Sequence, residues 1–318
     1  MQSRRFRPID IVSAGELLVD FISSRFVRDL QKAVNFKRLQ GGSPANLCIN
    51  MARLGNQAKL VATVGDDQMG VFLRDAVAAT GVDTLFIREI AMPTTLILVT
   101  RSKKVSNFQA YRGADSFIFD EQMTDELLSQ TNLFHTTCFA LSRIPAQVVI
   151  FEAAQRAMKL GCQVSIDANY SPKIWSDREE AQRYVSRYCE LGALVKVSEV
   201  DWERLYETPL KDPEQAVKHF SNMGAKQVCV TLGKEGCLVG DHKNAQFLPS
   251  REVEVKDTTG AGDAFWSGYL TAWLDGYKPL ECATAGRRMA ELKLAHFGPF
   301  PGPVDKTVVF EDIIQTQS

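Results

Sequence analysis

From residue 9 to residue 232 the chain keeps one rhythm: a short run rich in β-branched residues, then an amphipathic stretch that stops at glycine. IDIVSA (9–14), AKLVATVG (58–65), NLFHTT (132–137), QVSID (163–167), ALVKVS (193–198) and QVCVTL (227–232) read as strands, several of them apolar on both faces. Residues 44–54, 68–80, 146–160 and 212–223 carry helical spacing and end before Gly55, Gly81, Gly161 and Gly224. Alternation of this kind leaves few options, because parallel strands need crossovers and crossover helices cover both faces of the sheet. The expected fold is α/β, a mostly parallel sheet between helices, with ligands bound at the carboxyl ends of the strands.

Two segments break the rhythm. Residues 17–40 and 84–112 read as strand pairs with no helix between them, and together they would make a small discontinuous β-sheet lying over the main body as a lid. With 318 residues and no low-complexity linker or repeat, one domain over 1–318 with this accessory is expected rather than two halves in series.

The bulk numbers exclude several functions. Lys plus Arg total 37 against 38 Asp plus Glu, so no charge excess recruits nucleic acid or an acidic membrane. The basic start is followed by an apolar run broken at Asp10, Glu16 and Asp20, and no stretch has the length and apolarity to span a bilayer, so a cytoplasmic location is expected. Seven scattered cysteines without a C-x-x-C read as buried reduced thiols, and four unpaired histidines give no zinc pattern.

The chemistry concentrates in DTTGAGDAF (257–265). Gly260, Ala261 and Gly262 offer consecutive backbone N–H groups with almost no side-chain bulk, just where DAFWSGYLTAWL turns helical. A helix start of that kind is an anion hole for phosphate. The dinucleotide fingerprint fails because Phe265 stands where its third glycine belongs, and the only Gly-Lys pair, Gly233-Lys234, lacks the rest of a P-loop. A plain glycine turn with Asp263 complementing the helix dipole is the bland alternative, but it does not call for Asp257, two threonines and Asp263 together. Asp263 sits where an attacking hydroxyl must lose its proton, so it suits a general base for phosphoryl transfer.

GGSPANLCINMARLG (41–55) pairs two glycines with a helix start. Ser43 before Pro44 reads as an N-cap, Gly41 and Gly42 allow close approach to a ligand, and Asn46 can both donate to and accept from a sugar hydroxyl. A tight turn and a local cap bond would account for the same residues. Asp20 lies among Leu18, Val19, Phe21 and Ile22, where an unpaired carboxylate is costly, and a surface strand position is equally compatible with it.

These stretches resemble, in order, the motifs of the PfkB or ribokinase family of carbohydrate kinases, and GELLVDF (15–21), VATVGDDQMG (61–70), DANYSPKIW (167–175), VKVSE (195–199) and VTLGKEGCLV (230–239) extend the resemblance over nearly the whole chain, closest to the fructokinase-like branch. It implies a ribokinase-like fold and an ATP- and Mg2+-dependent transfer of phosphate to a sugar hydroxymethyl group, fructose first among acceptors. It implies Asp263 as base over the Gly260, Ala261 and Gly262 anion hole, and a sugar site of Asp20, Gly41, Gly42, Asn46 and the lid residue Arg112. Lys196, Ser198, Thr231, Gly233 and Gly236 match nucleotide positions, Asp201 the acid that supports magnesium through water, and Asp257 with Thr259 a monovalent-cation site for K+. A homodimer through the lid is a further implication. Two departures stand out: Ser198-Glu199-Val200-Asp201 replaces an N-x-x-E pattern, and Ser171 replaces an Arg, which weighs against a carboxylate-bearing acceptor such as 2-keto-3-deoxygluconate. A kinase for another acceptor (ribose, 2-keto-3-deoxygluconate or a nucleoside), or a non-catalytic relative that only binds nucleotide or sugar, are the alternatives.

Overall fold

The computed structural model describes residues 3–101 and 107–317. In chain order its strands are β1 (Ile9–Ala14), β2 (Leu18–Phe26), β3 (Phe36–Gly41), β4 (Ala58–Gly65), β5 (Ile87–Ile90), β6 (Leu96–Arg101), β7 (Phe108–Tyr111), β8 (Thr131–Thr137), β9 (Gln163–Asp167), β10 (Leu194–Ser198), β11 (Gln227–Thr231), β12 (Gly236–Gly240) and β13 (Ala245–Pro249). Its helices are α1 (Ser43–Arg53), α2 (Gln68–Ala78), α3 (Asp125–Ser129), α4 (Ala146–Lys159), α5 (Arg178–Glu190), α6 (Glu199–Tyr206), α7 (Pro213–Asn222), α8 (Ala261–Leu274), α9 (Pro279–Leu294) and α10 (Lys306–Gln317).

Nine strands form the main sheet in the order β13-β12-β11-β10-β9-β8-β1-β4-β5, parallel from β11 to β5, with β12 and β13 antiparallel at one edge. Along β1 and β8, neighbouring residues alternate between two cores: Ile11 and Leu133 belong to one, Val12 and Phe134 to the other. Helices α1, α2, α8, α9 and α10 pack in the first core and α4 to α7 in the second, so both faces of the sheet are covered, as continuous apolar strands require.

The small sheet has the order β3-β2-β6-β7. One expectation changes here. Residues 84–112 do not all belong to it, because β5 pairs parallel to β4 and extends the main sheet. Ile87 is buried in the main core, which draws that strand to the body, and only β6 and β7 from this stretch join the lid.

Helix α8 positions the site. Nearly all of it from Ala264 to Leu274 is buried, as befits a helix apolar all round. It lies close on α9, where a Cβ on Gly268 would come 2.6 Å from the Ala285 carbonyl oxygen, and Trp266 Nε1 donates to Ser165 Oγ of β9 at 3.0 Å. The helix start is thereby held against the strand ends. All seven cysteines are buried and unbridged.

Candidate active site

Gly260 caps α8 in the left-handed region (φ 74°), which turns the loop so that the helix opens on Ala261 and Gly262. A Cβ at Gly262 would lie 3.3 Å from Lys196 Nζ, so an ammonium group sits directly beside the cradle. Lys196 is buried and paired with Asp167 Oδ2 at 2.7 Å, while Asp167 Oδ1 has no hydrogen-bond partner.

Asp263, one turn into α8, is gripped by α1. Ser43 Oγ donates to its Oδ1 at 2.6 Å and Asn46 Nδ2 to its Oδ2 at 2.9 Å. Gln40 Nε2 donates to Asn46 Oδ1 at 3.1 Å, which orients the amide. Ser43 is therefore not the helix cap: Gly42 holds that position without a side-chain bond, and the serine hydroxyl is spent on Asp263. Burial pushes the Asp263 carboxyl up to about 6, against the opposing pull of the Ser43 and Asn46 hydrogen bonds.

Asp20 comes from β2, and burial, followed by the charge of Asp263, pushes it up to about 7. The two carboxylates thus face one space from opposite elements. Gly41, beside Asp20 across the lid hairpin, is a necessity: a Cβ there would lie 2.1 Å from Asp20 Oδ2. Gly42 (φ 104°) is equally constrained, its virtual Cβ falling 2.2 Å from the Glu16 carbonyl oxygen. Glu16 itself accepts from the Ser43 N–H at 3.1 Å and from Thr137 Oγ1 at 3.2 Å, and burial raises it to about 8. Arg112, at the end of β7, is ion-paired to Asp115 at 2.7 Å and donates from Nη1 to Ser142 Oγ at 2.9 Å.

The residues matched to nucleotide positions gather at the next strand ends. Ser198 and Thr231 are register neighbours on β10 and β11, and Gly233 lies in the turn beyond, close to the Glu199 side chain. Gly236 has a packing reason of its own, since a Cβ there would lie 2.1 Å from the Leu248 carbonyl oxygen in the β12–β13 pair.

Asp201 closes a capping box on α6 with Ser198. Burial, then the neighbouring charge of Asp167, raises it to about 6. Two adjacent carboxylates, one with an unpartnered oxygen, suit a hard cation approached through water. No group of three or more metal-ligating side chains occurs among the described residues.

The residues at the implied K+ site do not fit a free cation. Asp257 Oδ1 accepts from the Thr259 N–H at 3.0 Å and Oδ2 from the Gly298 N–H at 3.1 Å, and the buried Lys293 ammonium already stands 3.6 Å from Oδ2. Asp20, Asn46, Asp257, Gly260 and Lys293 line one cavity, so this lysine shares it with Asp20 and Asn46.

Ser43, Glu16, Asp167 and Lys293 were missed as site residues. The first three lie inside motifs that the sequence displayed, but their partners come from elements far away in the chain. Lys293 has no local signal at all.

A parallel α/β body, a β-lid and a glycine helix start facing paired carboxylates define a phosphate-transferring sugar enzyme, and comparison with known proteins agrees. The pfkB family carbohydrate kinase model matches residues 9–305, and the chain belongs to that family. It is 33% identical over 290 residues to the ATP-dependent 6-phosphofructokinase of Thermoanaerobacterium thermosaccharolyticum, covering 91% of this chain and 89% of the relative. It is 33% identical over 264 residues to Fructokinase-1 of Oryza sativa subsp. japonica, with coverage of 82% and 81%. Among solved structures, Halothermothrix orenii fructokinase superposes with a TM-score of 0.76 at 32% identity, over 91% of this chain and 99% of that one. The protein is an ATP-dependent phosphotransferase acting on a sugar hydroxyl, of the fructokinase-like branch. No helix among the described residues is long and apolar enough to cross a membrane.

Proposed function

We propose that the acceptor is a ketohexose, with fructose the first to test, and that its terminal hydroxymethyl group receives the γ-phosphoryl group of MgATP. The carrying observation is the grip of Ser43 and Asn46 on Asp263 at the mouth of the α8 cradle, which joins the acceptor helix to the phosphate site. Asp20 accepts from the sugar hydroxyls, and Gly42 and Asn46 close the pocket around them. The attacking oxygen bonds to the γ-phosphorus, its proton passes to Asp263, and the bond to the β,γ-bridging oxygen breaks to release ADP. N–H groups of Gly260 to Gly262, with Lys196 beside them, hold the charge that develops on the transferring group. Lys196, Ser198, Thr231, Gly233 and Gly236 face the nucleotide. Bound magnesium would supply charge neutralisation to the phosphates, its waters held by Asp201 with Asp167. Arg112 and the lid shield the pocket from water, which would otherwise accept the phosphate.

A coupled ADP-release assay tests this reading. Release with MgATP should depend on a ketohexose and saturate with it. Equal release without sugar, or a preference for adenosine, would contradict it.

A further inference from the structure

Three adjacent strands carry a buried polar residue in the middle of the sheet. Ser13 of β1, His135 of β8 and Ser165 of β9 are successive register partners, and all three are fully buried. Ser13 and His135 stand two residues on from Ile11 and Leu133, so the row points to the face that α1 and α8 cover. The next level of that face, two residues further along, holds Thr137, Asp167 and Lys196, the last of them beside the phosphate cradle. The polar row therefore lies directly beneath the site.

Each end of the row receives one site helix. Ser13 Oγ donates to the Pro44 carbonyl in the first turn of α1 at 2.9 Å, and Ser165 Oγ accepts from Trp266 Nε1 of α8 at 3.0 Å. Trp266 lies three residues after Asp263 and four after Gly262, so the three share one side of the helix. A bond that fixes the indole thereby fixes the rotation of α8 that presents the Asp263 carboxylate and the Gly262 N–H. The Ser43 and Asn46 bonds to Asp263 then close between two helix starts that the same row holds.

His135 sits between the two serines, its Nδ1 3.0 Å from Ser165 Oγ. Burial, followed by the charge of Lys196, pushes its imidazolium down to about 3, so the ring is neutral. Ser165 already accepts from the indole, and among the described residues Nδ1 is the one acceptor for its own hydrogen, which leaves the ring hydrogen on Nε2. That Nε2 is buried without a partner. An apolar residue would fill the space without the cost of a lone buried N–H, so what the imidazole contributes is the orientation of Ser165.

We propose that His135 and Ser165 are positioning residues for phosphoryl transfer: by locking the Trp266 indole they set the rotation of α8 that aims Asp263 at the acceptor hydroxyl. The proposal takes Asp263 as the base and goes beyond that assignment to what holds it in place.

The test measures kcat with MgATP and fructose, ATP binding by calorimetry, and the titration of the Asp263 carboxyl by 13C NMR, assigned with Asp263→Asn. Ser165→Ala should lower kcat about 10- to 100-fold while ATP affinity stays within a few-fold of wild type. Asp263 should titrate at least about half a pH unit higher, because the Ser43 and Asn46 bonds that hold it down lengthen. The charged groups that face it, Asp20, Asp167, Lys196 and Lys293, are the same in every variant. Trp266→Phe should reproduce both changes, and the double variant should be no worse than either single one. Since these substitutions also cost stability, His135 supplies the control. His135→Asn, whose amide oxygen replaces Nδ1 as acceptor, should keep kcat within a few-fold of wild type, whereas His135→Leu should fall with Ser165→Ala. A lowered Tm with kcat and the Asp263 titration unmoved, multiplying losses in the double variant, or equal kcat in His135→Asn and His135→Leu overturns the positioning role. If the wild type does not turn over fructose, the acceptor reading fails separately and the titration decides: a higher Asp263 value in Ser165→Ala and His135→Leu supports the role, and an unchanged one overturns it.

Discussion

Glu16 is buried between the Ser43 amide at the start of α1 and Thr137 of β8. Its folded-state pKa, raised by burial from 4.5 to about 8, means that the folded protein holds this proton more tightly than the unfolded chain does. Such a group stabilises the fold fully below its unfolded pKa and loses that contribution as pH climbs through the folded value. Stability should therefore drain from the wild type between pH about 4.5 and about 8, and Glu16→Gln lacks that slope. Scanning calorimetry should find the Tm of the variant, relative to wild type, rising from pH 5 to pH 8, since Asp20 and Asp263 titrate alike in both proteins. A constant difference across that range would contradict the burial argument.

At the scale of elements, the loop before α8 and the end of α9 meet at Asp257 and Lys293. We propose that the lysine is a tethered cation doing the work that a monovalent ion was expected to do, close to the Gly260 cap. Turnover by the wild type should not change when K+ is replaced by tetramethylammonium, and Lys293→Met should gain a several-fold activation by K+. Strong K+ activation of the wild type would sink this assignment. The elements also mark how far the sequence was legible. Six β-branched runs and four glycine-stopped helices appear within a residue or two of where periodicity places them, because tertiary burial and local pattern agree there. β5 was assigned to the wrong sheet, since a four-residue edge strand carries no mark of which sheet it will join. Ser43 looked like a cap because Ser-Pro at a helix start is a local signal, whereas its real partner, Asp263, is 220 residues on. Lys293 was illegible for the same reason in stronger form, with nothing beside it to suggest Asp257.

The whole molecule is a body with a mostly parallel sheet and a lid that brings Asp20 to the cavity shared with Asn46 and Gly260, while Arg112 lines a separate cleft. The cavity around Asp20 is lined from the lid strands, from α1 and from the loop before α8, so neither body nor lid forms it alone. The central claim is that Asp263 removes the acceptor's proton there. The direct measurement is kcat of Asp263→Asn in the ADP-release assay, beside ATP binding by calorimetry. An amide preserves the shape and cannot take the proton, so kcat should fall at least about 100-fold while ATP affinity stays within a few-fold. Turnover close to wild type in this variant would contradict the account.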